Sequence, residues 1–531
     1  MRARVGRYDA AMTPPSRSSS SLVRLRPGFF ELDDFTLHPP SVRMLNRSFC
    51  RRAGLLILGE VRPGSEPITL AMVHPEELST AEEVARQLLR PVEVVRLTRY
   101  EIDRGLILAL DGVAGLGEET VGRVLHLPLP PTRAGSSATE LVDRMLVDAV
   151  EAGASDIHLE RYGHDVDLRL RVDGLLKQIF THITPENVAE VVARVMVLAE
   201  LDVADRGRPQ DGRIRITLVG PDLPRTIDLR VNVAPSPAGQ DLVIRVLDAR
   251  RGLLPLRALG LAPELLARWQ RVLLNPGGLL LVTGPTGSGK TTTLYASLTA
   301  LVSDGRKIIT AEDPIEYVLD HVNQKQASAQ LPFSELLRAA LRQNPDVLLF
   351  GELRDADAAA TAVAAAATGH LVLSTLHTAD AVGVIPRLRG MGVSDIDLGE
   401  ALLGVLAQRL LRRVCVGCAQ PAEPTAAQLH LFGEALEGRS FVKGAGCPTC
   451  GGTGYKGRVG TYELLLVDQG FSERIIEGAP GSALRAYAAS QGHLTLVDDA
   501  LNQAAAGLTT LDELERTIPL RQLTQLRSNH P

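Results

Sequence analysis

The spacing of apolar and polar positions changes along the chain, and each change marks a different kind of element. Between residues 42 and 112, short apolar runs (GLLILGE, ITLAMV, VEVVRL) surround the helical stretch TAEEVARQLLR, the texture of a small α/β module. The segment LPLPPTRAGSSA, Leu127 to Ala138, is built of turn formers and reads as a linker. In ATELVDRMLVDAVEAG, Leu141, Met145, Leu146 and Val150 share one helical face, and Gly153 supplies the stop. DVDLRLRVDG then switches to a period of two, a strand running to a turn at Asp173-Gly174. RTIDLRVNVAP (Arg225 to Pro235) and LVIRVLD (Leu242 to Asp248) continue that pattern.

From Gly260 the apolar runs become continuous, as buried strands require. GLLLVTG is one strand, followed by the helix KTTTLYASLTALV with Leu294, Leu298 and Leu301 toward the sheet. RKIITAED, DVLLFGE and HLVLSTLHT are three more strands. Between the last two lies ADAAATAVAAAATG, a strong helix former with Gly369 as its stop. Strands alternating with helices predict an α/β domain with a mostly parallel sheet.

Composition narrows the picture. A chain of 531 residues exceeds one core and predicts roughly two to four domains. Apolar content of 45% suits packed interiors. With 57 basic and 62 acidic residues and a net charge of −5, bulk positive charge does not hold a nucleic acid, and none is expected as a partner. No apolar run approaches the ~18 residues of a membrane span. The early SRSSSS has no apolar core behind its basic residues, so it does not read as a secretory signal. The expectation is a cytoplasmic protein that meets the inner membrane only through partners.

The candidate chemistry starts at GPTGSGKTTT. Gly284, Gly289, Lys290 and Thr291 fall where a phosphate-cradling loop needs them, and Pro285, Thr286, Gly287, Ser288 and Thr292 complete the cradle. The ligand class is a nucleoside triphosphate, with Lys290 on the β- and γ-phosphates and Thr291 on Mg²⁺. Ligands of a parallel sheet lie beyond the carboxyl ends of its strands. That edge receives Glu312, Glu352 and His377. Asp346 opens its strand ~17 Å from the edge, at about 3.3 Å per residue, and His370 opens another, so both are read as structural. Glu312 is assigned to water activation, Glu352 to the magnesium side and His377 to a hydrogen bond with the γ-phosphate. The reverse assignment of the two glutamates stands as the alternative.

Several stretches in order carry a resemblance: GASDIHLE, RPQDGR, the P-loop, AEDPIEY, LRAALRQNPDVLLFGELRD, TGHLVLSTLHTADA, AQRLLRRVCVGC and GYKGRVGTYELL. Across about residues 138 to 515 the chain resembles the secretion ATPases of type II secretion and type IV pilus assembly. AEDPIEY matches that family's aspartate box, PDVLLFGE its Walker B segment and TGHLVLSTLHT its histidine box. The resemblance implies a homo-hexamer of RecA-like P-loop NTPase domains, each preceded by a PAS-like α+β domain that moves against it. It also implies arginines of the second module approaching the nucleotide, and Arg213, Arg230 and Arg245 match the pattern.

The implied organisation is a disordered leader at 1–40, a partner-docking α/β module at 41–126, a linker at 127–137 and the PAS-like domain at 138–250. The RecA-like domain follows at 251–414, then a tetracysteine zinc subdomain at 415–458 and a helical C-terminal region at 459–531. Three departures from the family pattern stand out: Gly239-Gln240 in place of Gly-Glu, Gly207 in place of a second arginine, and QLPF (Gln330 to Phe333) in place of Gly-Leu-Thr-Phe.

Four of the five cysteines form two C-x₂-C pairs, Cys415/Cys418 and Cys447/Cys450, enough for a closed tetrahedral Zn²⁺ site of structural type. Arg409, Arg412, Arg413, Lys456 and Arg458 flank the pairs and are expected to help hold the thiolates charged. Cys50 reads as a buried apolar residue. Retraction ATPases usually lack the quartet, so it points to the assembly or secretion branch. The short N-terminal module has no RLG-type messenger motif and looks like the segment that docks on the cytoplasmic domain of an inner-membrane secretion protein, favouring type II secretion. The implied motor extrudes a pseudopilus through an inner-membrane platform protein. Pilus assembly or DNA uptake stands as the near alternative, and a small-molecule P-loop kinase as the one from another class.

Overall fold

The computed structural model describes residues 23–529 apart from 27–29, 31, 43, 46–48, 51–52, 63–65, 99–100, 103–104, 107–122, 130, 134, 220–224, 304 and 329. The chain divides into two compact units, residues 1–128 with 217–225 and residues 129–216 with 226–531.

In the first unit the three expected strands form as Leu55–Leu58, Ile68–Met72 and Val92–Arg96, with the helix Leu78–Leu88 burying Ala81, Val84 and Ala85. Cys50 is buried in this core, as expected. Residues 1–22 of the expected leader lie outside the described residues, and described residues of its remainder are built into the module instead. Val23–Leu25 adds a parallel edge strand to Val92–Arg96, and Leu32 is buried.

The second unit starts with the helix Ala138–Ala152. Ser137 and Glu140 close a capping box at its start, and Gly153 takes the left-handed conformation at its end, as the sequence required. An antiparallel run of Arg225–Ser236, Gly239–Leu247, Asp156–Tyr162, Asp165–Val172 and Leu175–Gln178 follows, with Gln210–Val219 beside the first of these. Helices Ala138–Ala152 and Val188–Leu198 accompany the sheet, the α+β layout expected of the PAS-like module.

The P-loop strand Gly278–Thr283 sits within a seven-stranded sheet. Its order is Asn323–Gln326, Ile308–Glu312, Val347–Phe350, Leu371–Leu376, Gly278–Thr283, Leu402–Val414 and Tyr455–Leu466. All neighbours are parallel except the last pair. Alternation sends successive side chains into two cores. Leu279 and Leu281 join one with Ile309, Leu348 and Val372, while Leu280 and Val282 join the other with Ile308, Val347 and Leu373. The alanine helix forms as Ala356–Ala367, capped by Asp355, and small side chains let it lie close on the sheet. Sequence periodicity did not reveal the last two strands. They are long, paired from Gly404 with Leu466 to Val414 with Tyr455, and the cysteine subdomain is inserted between them.

The C-terminal region is helical from Gln469–Ile476 to Leu520–Asn529, whereas residues 459–466, expected to belong to it, complete the strand Tyr455–Leu466. Among the described residues no helix is long and apolar enough to cross a membrane.

Candidate functional site

Strand registers decide which side chains meet. Ala311 lies beside Phe350, Phe350 beside Ser374, and Thr283 beside Leu376. The strands therefore finish level, and Gly284, Glu312, Glu352 and His377 leave along one rim. Asp346 and His370 sit at the other end. There Asp346 accepts from the Lys307 amide at 2.6 Å, and His370 Nδ1 lies 3.0 Å from the Ala365 carbonyl, a capping position. Hydroxyls of STLHT tie the rim together. Ser374 donates to the Phe350 carbonyl at 2.6 Å and Thr375 to that of Gly351 at 2.8 Å, which fixes the backbone from which Glu352 projects.

The loop itself is held from below. Gln408, 1% exposed, donates to the Ser288 carbonyl at 2.7 Å and accepts from Thr293 at 2.8 Å. Gly284 has φ +150°, and a Cβ there would stand 2.4 Å from the Gln408 carbonyl, so any side chain would push the loop off its support. Gly289 takes φ 90° at the start of the helix Lys290–Leu301, aiming the helix N-terminus into the cradle.

Lys290 Nζ donates to the carbonyls of Gly284 at 2.9 Å and Pro285 at 3.1 Å. Burial pushes its pKa down to about 8, with Glu352 and Glu316 opposing and Arg409 adding. A pH dependence follows. Below about 8 Lys290 is already charged and nucleotide affinity is flat. Above it, phosphate binding must re-protonate the amine, so affinity is expected to weaken by up to about tenfold per pH unit. Dissociation constants for ADP between pH 7 and pH 9.5 check this, and a Lys290→Arg variant should flatten the profile. A wild-type affinity that does not fall above pH 8 contradicts it.

The acidic groups differ in their surroundings. Glu352 faces His377, whose Nε2 is 3.1 Å from Oε1, and accepts from Arg354 Nε at 3.2 Å. Arg354 also reaches Asp313 at 3.0 Å. Glu312 stands at the rim but is only 4% exposed, and Tyr295, Thr310 and Gln324 all donate to it. Its oxygens are occupied, which suits a positioning group better than one that meets water.

Glu316 was missed, because the strand-end rule stops at the first carboxylate of AEDPIEY. It lies four residues on, past the rim, where burial raises its pKa, opposed by Arg230 and the nearby Thr291 hydroxyl. The signal that finds it is the pair Thr291 and Tyr295 at i, i+4 on the P-loop helix, both turned toward the same loop. The Tyr295 hydroxyl accepts from the Glu316 amide at 3.4 Å, and Thr291 lies near the Glu316 carboxylate.

The second module brings its arginines together. Arg230 and Arg245 are direct cross-strand partners, a like-charge pairing that costs stability unless anions answer it. Arg245 takes Asp156 at 3.3 Å, and Arg230 donates to the Ile315 carbonyl at 3.1 Å beside Glu316. Burial lowers the Arg230 pKa; Glu316 opposes this, and Arg213 and Arg245 add to it. Arg213 is exposed nearby.

The four cysteine sulfurs lie within 4.8 Å of one another, with pairs at 3.8, 3.8 and 3.9 Å. A tetrahedron of Zn–S bonds near 2.3 Å has edges of about 3.8 Å, so the donor set fits zinc. The 28-residue spacing closes because Ala419–Ala422 pairs with Phe441–Gly444 and Val414 meets Tyr455. Backbone amides do much of the work expected of the flanking cations. Burial opposes ionisation of Cys450, yet the amides of Cys447 and Gly454, each 3.2 Å from Sγ, help hold its thiol down at about 6. Arg412 is engaged elsewhere, by Glu513 at 2.7 Å and over the Tyr455 ring, Arg409 bonds the Ala379 carbonyl, and Arg458 lies 3.9 Å from Asp173.

A family model described as type II/IV secretion system protein matches residues 133–516, and a second, the MshEN domain, matches residues 25–112. The chain belongs to the type II/IV secretion system protein family. The type II secretion system protein E of Klebsiella pneumoniae is 38% identical over 483 residues, 88% of this chain and 95% of that protein. The type IV pilus assembly ATPase PilB of Thermus thermophilus is 40% identical over 400 residues, 74% of this chain but only 44% of that protein. The X-ray structure of the ATPase DotB of Legionella pneumophila aligns with a TM-score of 0.54 at 22% identity, covering 74% of this chain and 98% of that one, so this family member shares its fold.

Proposed function

We propose that this chain is the ATP-hydrolysing motor of a type II secretion system, working as a hexamer that couples interdomain motion to pseudopilus assembly and protein export. The observation that carries this reading is the shared rim: P-loop, Glu352, His377 and Glu316 converge there, and Arg230 approaches from the second module. The near-complete two-way coverage with the Klebsiella protein, against less than half of PilB, favours the type II branch over pilus assembly. The N-terminal module docks on an inner-membrane secretion component, and the ring acts on a platform protein in the same membrane.

The roles follow from position. Lys290 and the loop amides bind the β- and γ-phosphates. Thr291 and Glu352 would hold Mg²⁺, which when bound neutralises charge on the transferring phosphoryl group. Glu316, raised in pKa by burial and set beside Thr291, orients and deprotonates the attacking water. Glu312 keeps the Tyr295 hydroxyl fixed behind it. Arg230, with Arg245 and Arg213, answers the phosphate charge while the two modules are closed and loses that partner when phosphate leaves. Differential contacts of this kind are what a nucleotide switch requires. The zinc would be held by Cys415, Cys418, Cys447 and Cys450 as a structural clamp.

The test is complementation in the source cell. Deleting the gene is expected to stop export of type II cargo, the intact chain to restore it, and Lys290→Ala not to. Normal export with lost pili in the deletion would assign the motor to the pilus branch instead.

A further inference from the structure

The inner face of the second-module sheet holds a cavity of about 130 Å³ that the nucleotide chemistry does not use. Gln240 lies opposite Arg161, two residues along each strand from the Leu242–Leu159 pair, so both side chains point toward the helix Val188–Leu198. Val188, Val192 and Val203 form the apolar wall, and Arg206 stands at the mouth.

The polar groups there lack partners. Arg161 Nε and Gln240 Nε2 are buried and make no hydrogen bond. Among the described residues neither the Arg161 nor the Arg206 guanidinium forms an ion pair. The site is built rather than collapsed. Gly239, at φ +140°, leaves room for the Arg161 guanidinium, since a Cβ would stand 2.7 Å from Nη1. The loop bearing Arg206 is fixed by Gln210, which bonds the Asp202 amide and the carbonyls of Asp202 and Asp205 at 2.7 to 2.9 Å.

A buried donor left unpaired is costly, and both Arg161 Nε and Gln240 Nε2 are such donors. A planar fork plus an amide donor matches a carboxylate, and the valine wall matches a short aliphatic stem. The volume equals about four waters at roughly 30 Å³ each, room for a carboxylate and two or three methylenes. We propose that this pocket binds a short aliphatic carboxylate, delivered either as a free acid or as a Glu or Asp side chain of another protein. The proposal is independent of the hydrolytic site.

The experiment uses the full chain, with ADP binding as the folding control. Succinate, acetate and inorganic phosphate are titrated at constant ionic strength, with binding and melting temperature as readouts. Wild-type protein and the Arg161→Gln and Gln240→Glu variants are compared. A free-acid ligand gives saturable succinate binding that phosphate does not reproduce. Arg161→Gln weakens that binding by about tenfold or more, the loss of one charge-assisted contact. Gln240→Glu abolishes it, because the new carboxylate occupies the site. A side-chain ligand gives no response to free acids, but Gln240→Glu raises the melting temperature and adding Arg161→Gln cancels the gain. Equal responses to all anions in all three proteins, or no acid binding together with a neutral or destabilising Gln240→Glu, overturns the proposal.

Discussion

Lys290→Ala is expected to reduce ATP turnover by about two to three orders of magnitude, the scale on which loss of a charge-stabilising donor acts. Two effects combine. The variant removes the cation that meets the β- and γ-phosphates, and it removes the strap Nζ makes across the carbonyls of Gly284 and Pro285. Nucleotide affinity should therefore fall together with kcat, whereas loss of charge alone would spare the loop. Helix Lys290–Leu301 stays packed through Leu294 and Leu298, so the fold should survive. Steady-state phosphate release together with ADP titration checks both parts. Turnover within a few-fold of wild type would contradict the role given to the loop.

The second large effect belongs to the cysteine site. Structural zinc in four-ligand sites contributes an apparent 10–16 kcal/mol in isolated domains, and here a sizeable share is expected to support the tip between the two long strands. Cys450→Ser, or zinc removal by a strong chelator, should cost at least about 3 kcal/mol, roughly 10 °C in melting temperature for a domain of this size. The damage should spread to the C-terminal helices. Arg412, near that tip, holds Glu513, and Tyr455 lies 2.8 Å from the Thr510 hydroxyl. Elemental analysis should find one zinc per chain, and calorimetry before and after chelation reads the shift. A metal-free protein with an unchanged melting temperature would show the thiols to be free.

How much was legible follows from what leaves a local mark. The strands around the P-loop are continuous apolar runs, and their carboxyl ends name Glu352 and His377 directly. The stop at Gly153 and the two C-x₂-C pairs are likewise short-range patterns. What escaped depends on long-range geometry. Leu402–Val414 and Tyr455–Leu466 carry polar residues because the inserted subdomain and the C-terminal helices cover them. Gln408 carries no local mark until strand pairing places it under Ser288. Glu316 lies beyond a strand end, on a loop whose course only Tyr295 and Thr291 reveal, so the nearer Glu312 attracted its role. The three arginines were aligned by motif, but the direct opposition of Arg230 and Arg245 appears only once the strands are in register.

The central claim is that the Glu316 carboxylate, beside Thr291 and Arg230, meets the attacking water. The most direct measurement compares kcat and nucleotide affinity of Glu316→Gln and Glu312→Gln. Glu316→Gln should lower kcat by about a hundredfold or more while still binding ATP, the scale of a lost general base. Glu312→Gln should keep kcat within about tenfold and lose about 1–3 kcal/mol of stability, since a neutral amide cannot accept from all of Tyr295, Thr310 and Gln324. Near-normal turnover in Glu316→Gln beside a dead but stable Glu312→Gln would contradict the account.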